Sequence, residues 1–268
     1  MPTPSEEINR IRRQSVNIQA DTLKMVMDLL TTAETQIKNV LLNGTTDYQN
    51  FFLTEIEKQI KEIIQTFTSQ AINIIKNEIN KEWETGQELI TAPLLASGVR
   101  IMLPSLDVSL LFNLQKVTTD KIVGLSAEIV NKINTQLGLS LIGAQGLETT
   151  IANVGELISD ERWRARRIVY TELGTVYNAA ANERFNQANE AVPELGKMWI
   201  KSKKAHPREN HVAIHRQLAN KEGFFVIQGK QGEIKAKYPK DPSLPIGERI
   251  NCGCSMIPYH PDWGLKVK

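Results

Sequence analysis

An apolar residue recurs at every third or fourth position through most of the first 160 residues, and this spacing restricts the chain to long amphipathic helices. Leu23, Val26, Leu30, Ala33, Ile37 and Val40 step by 3, 4, 3, 4 and 3, which holds one apolar stripe in register. A second stripe runs through Ile56, Ile60, Ile63, Phe67, Ala71 and Ile74, widened by Ile64, Ile75 and Ile79. Asn43-Gly44-Thr45-Thr46-Asp47 between them is composed as a turn, so the two helices are expected to fold back on each other. Pro93, Gly98 and Pro104 break the next stretch into short pieces, and a third stripe follows at Ile122, Leu125, Ile129, Ile133 and Leu137. Isoleucine is a mediocre helix former, so burial must hold these helices.

A glycine-dotted stretch, 138–155, leads to a fourth helix over about residues 160–190. Asp160 and Glu161 suit its positive end, Val169, Leu173, Val176 and Ala180 form its buried face, and Pro193 and Gly196 end it. Beyond it the texture changes to Gly, Pro, Lys and His with short apolar runs such as Phe224-Phe225-Val226-Ile227, composed like strands. The fold class is therefore α+β, with a helical region over residues 1–159 and a small α+β module over 160–268.

Net charge is only +2, yet residues 195–268 hold 14 Lys and Arg against 6 Asp and Glu, or +8, which leaves −6 for residues 1–194. A basic end attracts phosphates or acidic protein surfaces, and an acidic body avoids them. The alternative is a solvated lysine-rich surface. No apolar run reaches the length of a membrane span, and residues 1–14 lack a signal-peptide core, so synthesis in a cytoplasm is expected. Cys252 and Cys254, one residue apart, are a poor pair for a disulfide and suit a reducing compartment.

All four histidines and both cysteines fall between positions 206 and 260. His211 and His215 are four apart, so on a helix they share a face as two ligands of one metal would; Cys252 and Cys254 would add two thiolates. His206 and His260 are spare candidates. Four protein ligands would make a structural zinc site with no open position. Alternatively, the histidines hydrogen-bond to backbone and the cysteines are small buried hydrophobes. The segment His211-Val212-Ala213-Ile214-His215 lacks the internal acid of a His-Glu-x-x-His hydrolase, and no glycine-rich phosphate loop is present, so no enzyme is expected.

From the fourth helix onward stand, in order, Thr171-Glu172 and Asn178, then Trp199, then Arg208 and His211 in an Arg-x-x-His element with His215 after it. Phe224 and the proline-rich 239–245 follow, and the series closes on Gly247-Glu248-Arg249-Ile250-Asn251-Cys252-Gly253-Cys254. Through these residues the C-terminal third resembles the phage Mu F-like minor head protein, or phage head-morphogenesis, family. Each element is weak alone; their order and spacing over residues 160–260 carry the likeness. Tyr170, Arg216 and Gly253 depart from the residues common at those places.

The resemblance implies a structural component of a tailed-phage virion. Such a protein sits in few copies at the portal vertex inside the head, touches portal and capsid or scaffold proteins, and takes part in head morphogenesis and in DNA packaging or ejection. It would be made in the host cytoplasm and bind no membrane. Lys201, Lys203, Lys204, Arg208 and Arg216 are the cations expected against double-stranded DNA, without sequence preference. Glu172 is expected to pair with Arg208, and Asn251 to tie the terminal loop to the fourth helix, because a module with few apolar residues needs cross-links or a metal. The competing readings are a DNA-binding accessory protein and a metal-dependent nuclease or toxin-like effector.

Overall fold

The computed structural model describes residues 2–43, 50–230 and 232–268, with the backbone alone for residues 50–52. Four long helices come first: α1 (Pro4–Asn43), α2 (Asn50–Ala96), α3 (Val108–Leu141) and α4 (Leu147–Ala191). Short elements follow: β1 (Gly196–Ile200), α5 (Glu209–Ala213), β2 (Phe225–Gly229), β3 (Gly232–Ala236), α6 (Ile246–Arg249), β4 (Ser255–Tyr259) and a 3-10 turn at Pro261–Trp263. The fold is α+β. The expected turn at 43–47 lies, apart from Asn43 at the end of α1, outside the described residues.

Helix α1 starts on a reciprocal cap: the Thr3 N–H donates to Glu6 Oε2 at 2.7 Å, and the Glu6 N–H donates to Thr3 Oγ1 at 3.3 Å. Pro4, which has no N–H to lose, occupies the first helical position. Its buried seam runs through Ile8, Ile11, Val26, Leu30, Ala33, Ile37 and Leu41; the expected end positions Leu23 and Val40 are half-buried. On α2 the deeper residues are Ile56, Ile60, Ile64, Phe67, Ala71, Ile75 and Ile79, with Ile63 and Ile74 at the margin. All five stripe positions of α3, from Ile122 to Leu137, are wholly buried.

Two expected breaks are absorbed. Pro93 lies inside the last turns of α2, and the glycine-dotted 138–155 contributes Gly138 to α3 and Gly155 to α4. Helix α4 therefore begins at Leu147, well before residue 160. The true stops are left-handed glycines. Gly98 (φ 86°) and Gly143 (φ 71°) let Val99 N–H reach Leu94 O and Ala144 N–H reach Leu139 O, at 3.0 and 2.9 Å.

The chain packs as two compact units. One comprises Met1–Ala20, Glu78–Leu114 and Tyr170–Lys268; the other comprises Asp21–Asn77 and Gln115–Val169. Every long helix contributes to both. The division expected at 159/160 falls inside α4, because the beginning of α1 and the end of α2 pack with the C-terminal residues. In that first unit, residues 171–182 of α4 are buried on nearly every side, β1 pairs antiparallel with β4 (Trp199↔Met256), and β2 pairs antiparallel with β3 (Ile227↔Ile234). Trp199, fully buried, meets the Phe225 ring edge-on at a centroid distance of 5.3 Å.

Candidate metal centre and the residues around it

Helix α5 is five residues long and carries His211 inward, 1% exposed. Arg208 caps it with extended backbone, and its carbonyl accepts from the N–H groups of His211 and Val212. The imidazole is held edge-on to Trp199 at a centroid distance of 5.2 Å. Its Nδ1 lies 3.5 Å from Cys252 Sγ and 3.6 Å from Cys254 Sγ, both cysteines buried, and the three donor atoms lie within 4.8 Å of one another. On the far side of the ring Nε2 faces Glu248 Oε2 at 3.0 Å, and Glu248 Oε1 accepts from Asn210 Nδ2 at 3.1 Å.

Cys252 is held well below the usual thiol value by a hydrogen bond from Cys254, with further help from His211, while the same contact raises Cys254. Two cysteine sulfurs and an imidazole nitrogen converging on one buried volume form a soft donor set, and this group can hold a metal ion. A carboxylate behind the far imidazole nitrogen is the arrangement that fixes the orientation of a metal-ligating histidine.

Beside the sulfurs lies Lys240, buried, whose ammonium donates to the Tyr170 carbonyl at 2.6 Å. Burial pushes it down to about 8, opposed by the charge of Cys252. A Cβ at Gly174 would stand 1.8 Å from its Nζ, so α4 accepts this lysine only because residue 174 has no side chain. Nothing in the sequence signals Lys240; a lysine in the proline-rich 239–245 reads as surface.

His215 is not part of the group. Helix α5 ends at Ala213, Arg216 takes a left-handed backbone (φ 64°), and the four-residue spacing no longer selects one face. The His215 Nδ1 instead accepts from the Lys201 N–H at 3.3 Å. His206 is exposed, and His260 caps the 3-10 turn through the Asp262 N–H. The expected Glu172–Arg208 pair is also corrected. Glu172 faces Arg249 at 3.5 Å, while Arg208 Nη2 donates to the Ile250 carbonyl at 2.7 Å. Arg208 thus binds the same turn, but through its backbone.

Asn251 does tie that turn to α4. In left-handed conformation (φ 57°), it donates its N–H to Thr171 Oγ1 at 3.0 Å. Five residues on, the Met256 N–H reaches Asn178 Oδ1 at 3.1 Å, and Asn178 donates back to the Gly174 carbonyl at 2.6 Å.

The cations singled out in the sequence divide into two places. Lys201, Lys203, Lys204 and Arg216 line a cleft of about 690 Å³, joined by Arg12 from α1 and by Lys266. Arg208 is not among its lining residues. No aspartate or glutamate lines the cleft. The pKa of His215, on its wall, is lowered, first by burial and then by the charges of Arg216, Lys201 and Arg12.

Among curated proteins the chain is similar to the "Uncharacterized protein YqbB" of Bacillus subtilis (strain 168), at 31% identity over 133 residues, 49% of this chain. The match takes in 41% of that protein, so the chain corresponds to less than half of this relative's length. No protein-family model matches the chain, and no solved structure matches it.

Proposed function

We propose that this chain is a structural minor head protein of a tailed bacteriophage, placed at the portal vertex and acting in head morphogenesis rather than as an enzyme. One observation supports the reading above the others: most of the residues that carry the resemblance meet one another or the turn and strand that follow Arg249. Thr171 accepts from Asn251, Asn178 from Met256, Arg208 donates to Ile250, and Trp199 and Cys252 meet at His211. Elements scattered over more than 80 residues of sequence close into one cross-linked cluster, as a shared module requires. The deciding experiment is protein identification on purified particles of the encoding phage or induced prophage. The chain is expected in heads, co-purifying with the portal protein; mature heads and procapsids both lacking it would overturn the reading. Double-stranded DNA is the further partner this reading supplies, carried by the basic residues 195–268, and its binding is expected to weaken steeply with salt in gel shifts with the full chain.

We further propose that the metal held by His211, Cys252 and Cys254 is zinc, in a structural role. Two sulfurs and an imidazole suit zinc; with His215 outside the group the fourth position would fall to a non-protein ligand, and the structural role rests on the centre pinning α5 to the turn before β4. Metal analysis of protein purified without chelator is expected to give about one zinc per chain. Cys252→Ser and Cys254→Ser should each abolish it and lower the melting temperature, whereas His215→Ala should leave the zinc in place. Zinc-free native protein would overturn the assignment.

A further inference from the structure

The recessed positive cleft is unlike a duplex-binding surface, and its chemistry can be read independently of the minor-head reading. A duplex presents a convex backbone and is met by cations spread along a face. Here Arg12 from α1, Lys201, Lys203 and Lys204 from the segment after β1, Arg216 from the turn after α5, and Lys266 from the C-terminal residues converge on one volume of about 690 Å³. Ser5 and Asn9, on the same face of α1 as Arg12, add neutral polar groups.

Several of these cations are uncommitted. Arg12 spends its Nε–H on Ser255 Oγ at 3.2 Å, and among the described residues no carboxylate pairs with it. Among those residues no ion pair holds the side chains of Lys201, Lys203, Arg216 or Lys266 either. Like charges gathered without counter-charge repel one another, and a bound polyanion relieves that cost. The pKa of His215 is lowered first by burial and then by the charges of Arg216, Lys201 and Arg12, in line with a positive field inside. A second cavity of about 350 Å³ shares Asn9, Arg12, Lys201 and Lys203, adds Arg13 and Lys240, and is lined by no acid among the described residues. The positive region thus extends beyond the cleft.

We propose that this cleft is a binding site for a compact polyphosphate, the di- or triphosphate class, with Arg12 at its centre and Lys201, Lys203, Arg216 and Lys266 around it. Consecutive phosphates on a short chain match cations that surround one volume, and guanidinium groups bind phosphate oxygens in pairs.

The test is calorimetric titration of the full chain with sodium tripolyphosphate at fixed ionic strength, with a short DNA duplex titrated at equal phosphate concentration. Saturable one-to-one binding of tripolyphosphate is expected, tighter per phosphate than the duplex. Lys203→Gln with Lys266→Gln should weaken it about tenfold while leaving the melting curve unchanged, since both side chains are exposed. Arg12→Gln should weaken it further and Arg12→Lys recover part of the loss. Absence of saturable binding, affinity indifferent to the Lys203 and Lys266 changes, or tighter binding of the duplex would each overturn the proposal. None of these outcomes bears on whether the chain is found in phage heads.

Discussion

Glu82 is a wholly buried carboxyl whose Oε1 accepts from Ser15 Oγ and from Gln19 Nε2, both at 3.0 Å, while Oε2 has no hydrogen-bond partner. Burial pushes its pKa up to about 8, against those two hydrogen bonds and the charge of Lys240. The folded state therefore holds a proton that the unfolded chain releases near pH 4.5. Its contribution to stability is complete below that value and is lost as pH rises toward about 8. Between pH 5.5 and 7.5 this one group should cost about 2 kcal/mol of stability. Glu82→Gln keeps an acceptor and cannot ionise. Denaturant melts of the variant are expected to be less sensitive to pH over that window and to show higher stability at pH 7.5; an unchanged pH slope would count against a neutral buried carboxyl. Glu248, behind His211, offers a different residue-scale test of the proposed zinc centre: Glu248→Gln should weaken metal binding there by about ten- to a hundredfold in a chelator competition, because it faces the ring without belonging to the ligand group.

At the scale of elements, what was legible in the sequence was periodicity, and what was hidden was where periodicity stops. The α3 stripe Ile122, Leu125, Ile129, Ile133 and Leu137 is buried as spaced, and Phe225-Val226-Ile227 is a strand. His211, Cys252 and Cys254 were recognisable because few residue types bind metals and these lay close together in the sequence. His215 was misplaced because a spacing of four has meaning only while a helix lasts, and α5 ends two residues earlier. Pro93 and Gly155 were read as breaks, yet burial along α2 and α4 outweighs their low helix propensity. The partner of Glu172 could not be read, since Arg208 and Arg249 both approach the same turn. The tie between α4 and that turn is itself testable. Thr171→Val preserves shape but removes the acceptor for the Asn251 N–H, and should cost about 1–3 kcal/mol in chemical denaturation. A change within error would mean that water substitutes for the hydroxyl.

At the scale of the whole molecule, composition and charge were read correctly as sums but not as places. The +8 of residues 195–268 divides between a cleft that includes Arg12 of α1 and surfaces elsewhere. A boundary near residue 160 looked natural because a glycine-dotted stretch leads there into the fourth helix, whereas packing joins Met1–Ala20 and Glu78–Leu114 to Tyr170–Lys268. An isolated fragment of residues 160–268 should therefore lack a cooperative thermal transition, and adding residues 1–20 and 78–114 in trans should restore protection in hydrogen exchange. A fragment that melts cooperatively alone would show the module to be self-sufficient.

That interleaving also governs the order in which a newly made chain can acquire structure. The unit built from Asp21–Asn77 and Gln115–Val169 has all its parts once residue 169 has left the ribosome. The other unit waits for residues 255–259, because the strand that begins at Ser255 pairs with the one at Gly196 and receives Arg12 from a helix translated much earlier. During that interval Ile8 and Ile11, which end up wholly or almost wholly buried, have no finished surface to cover them. An apolar surface left uncovered in this way is where chaperones act and where aggregation competes with folding.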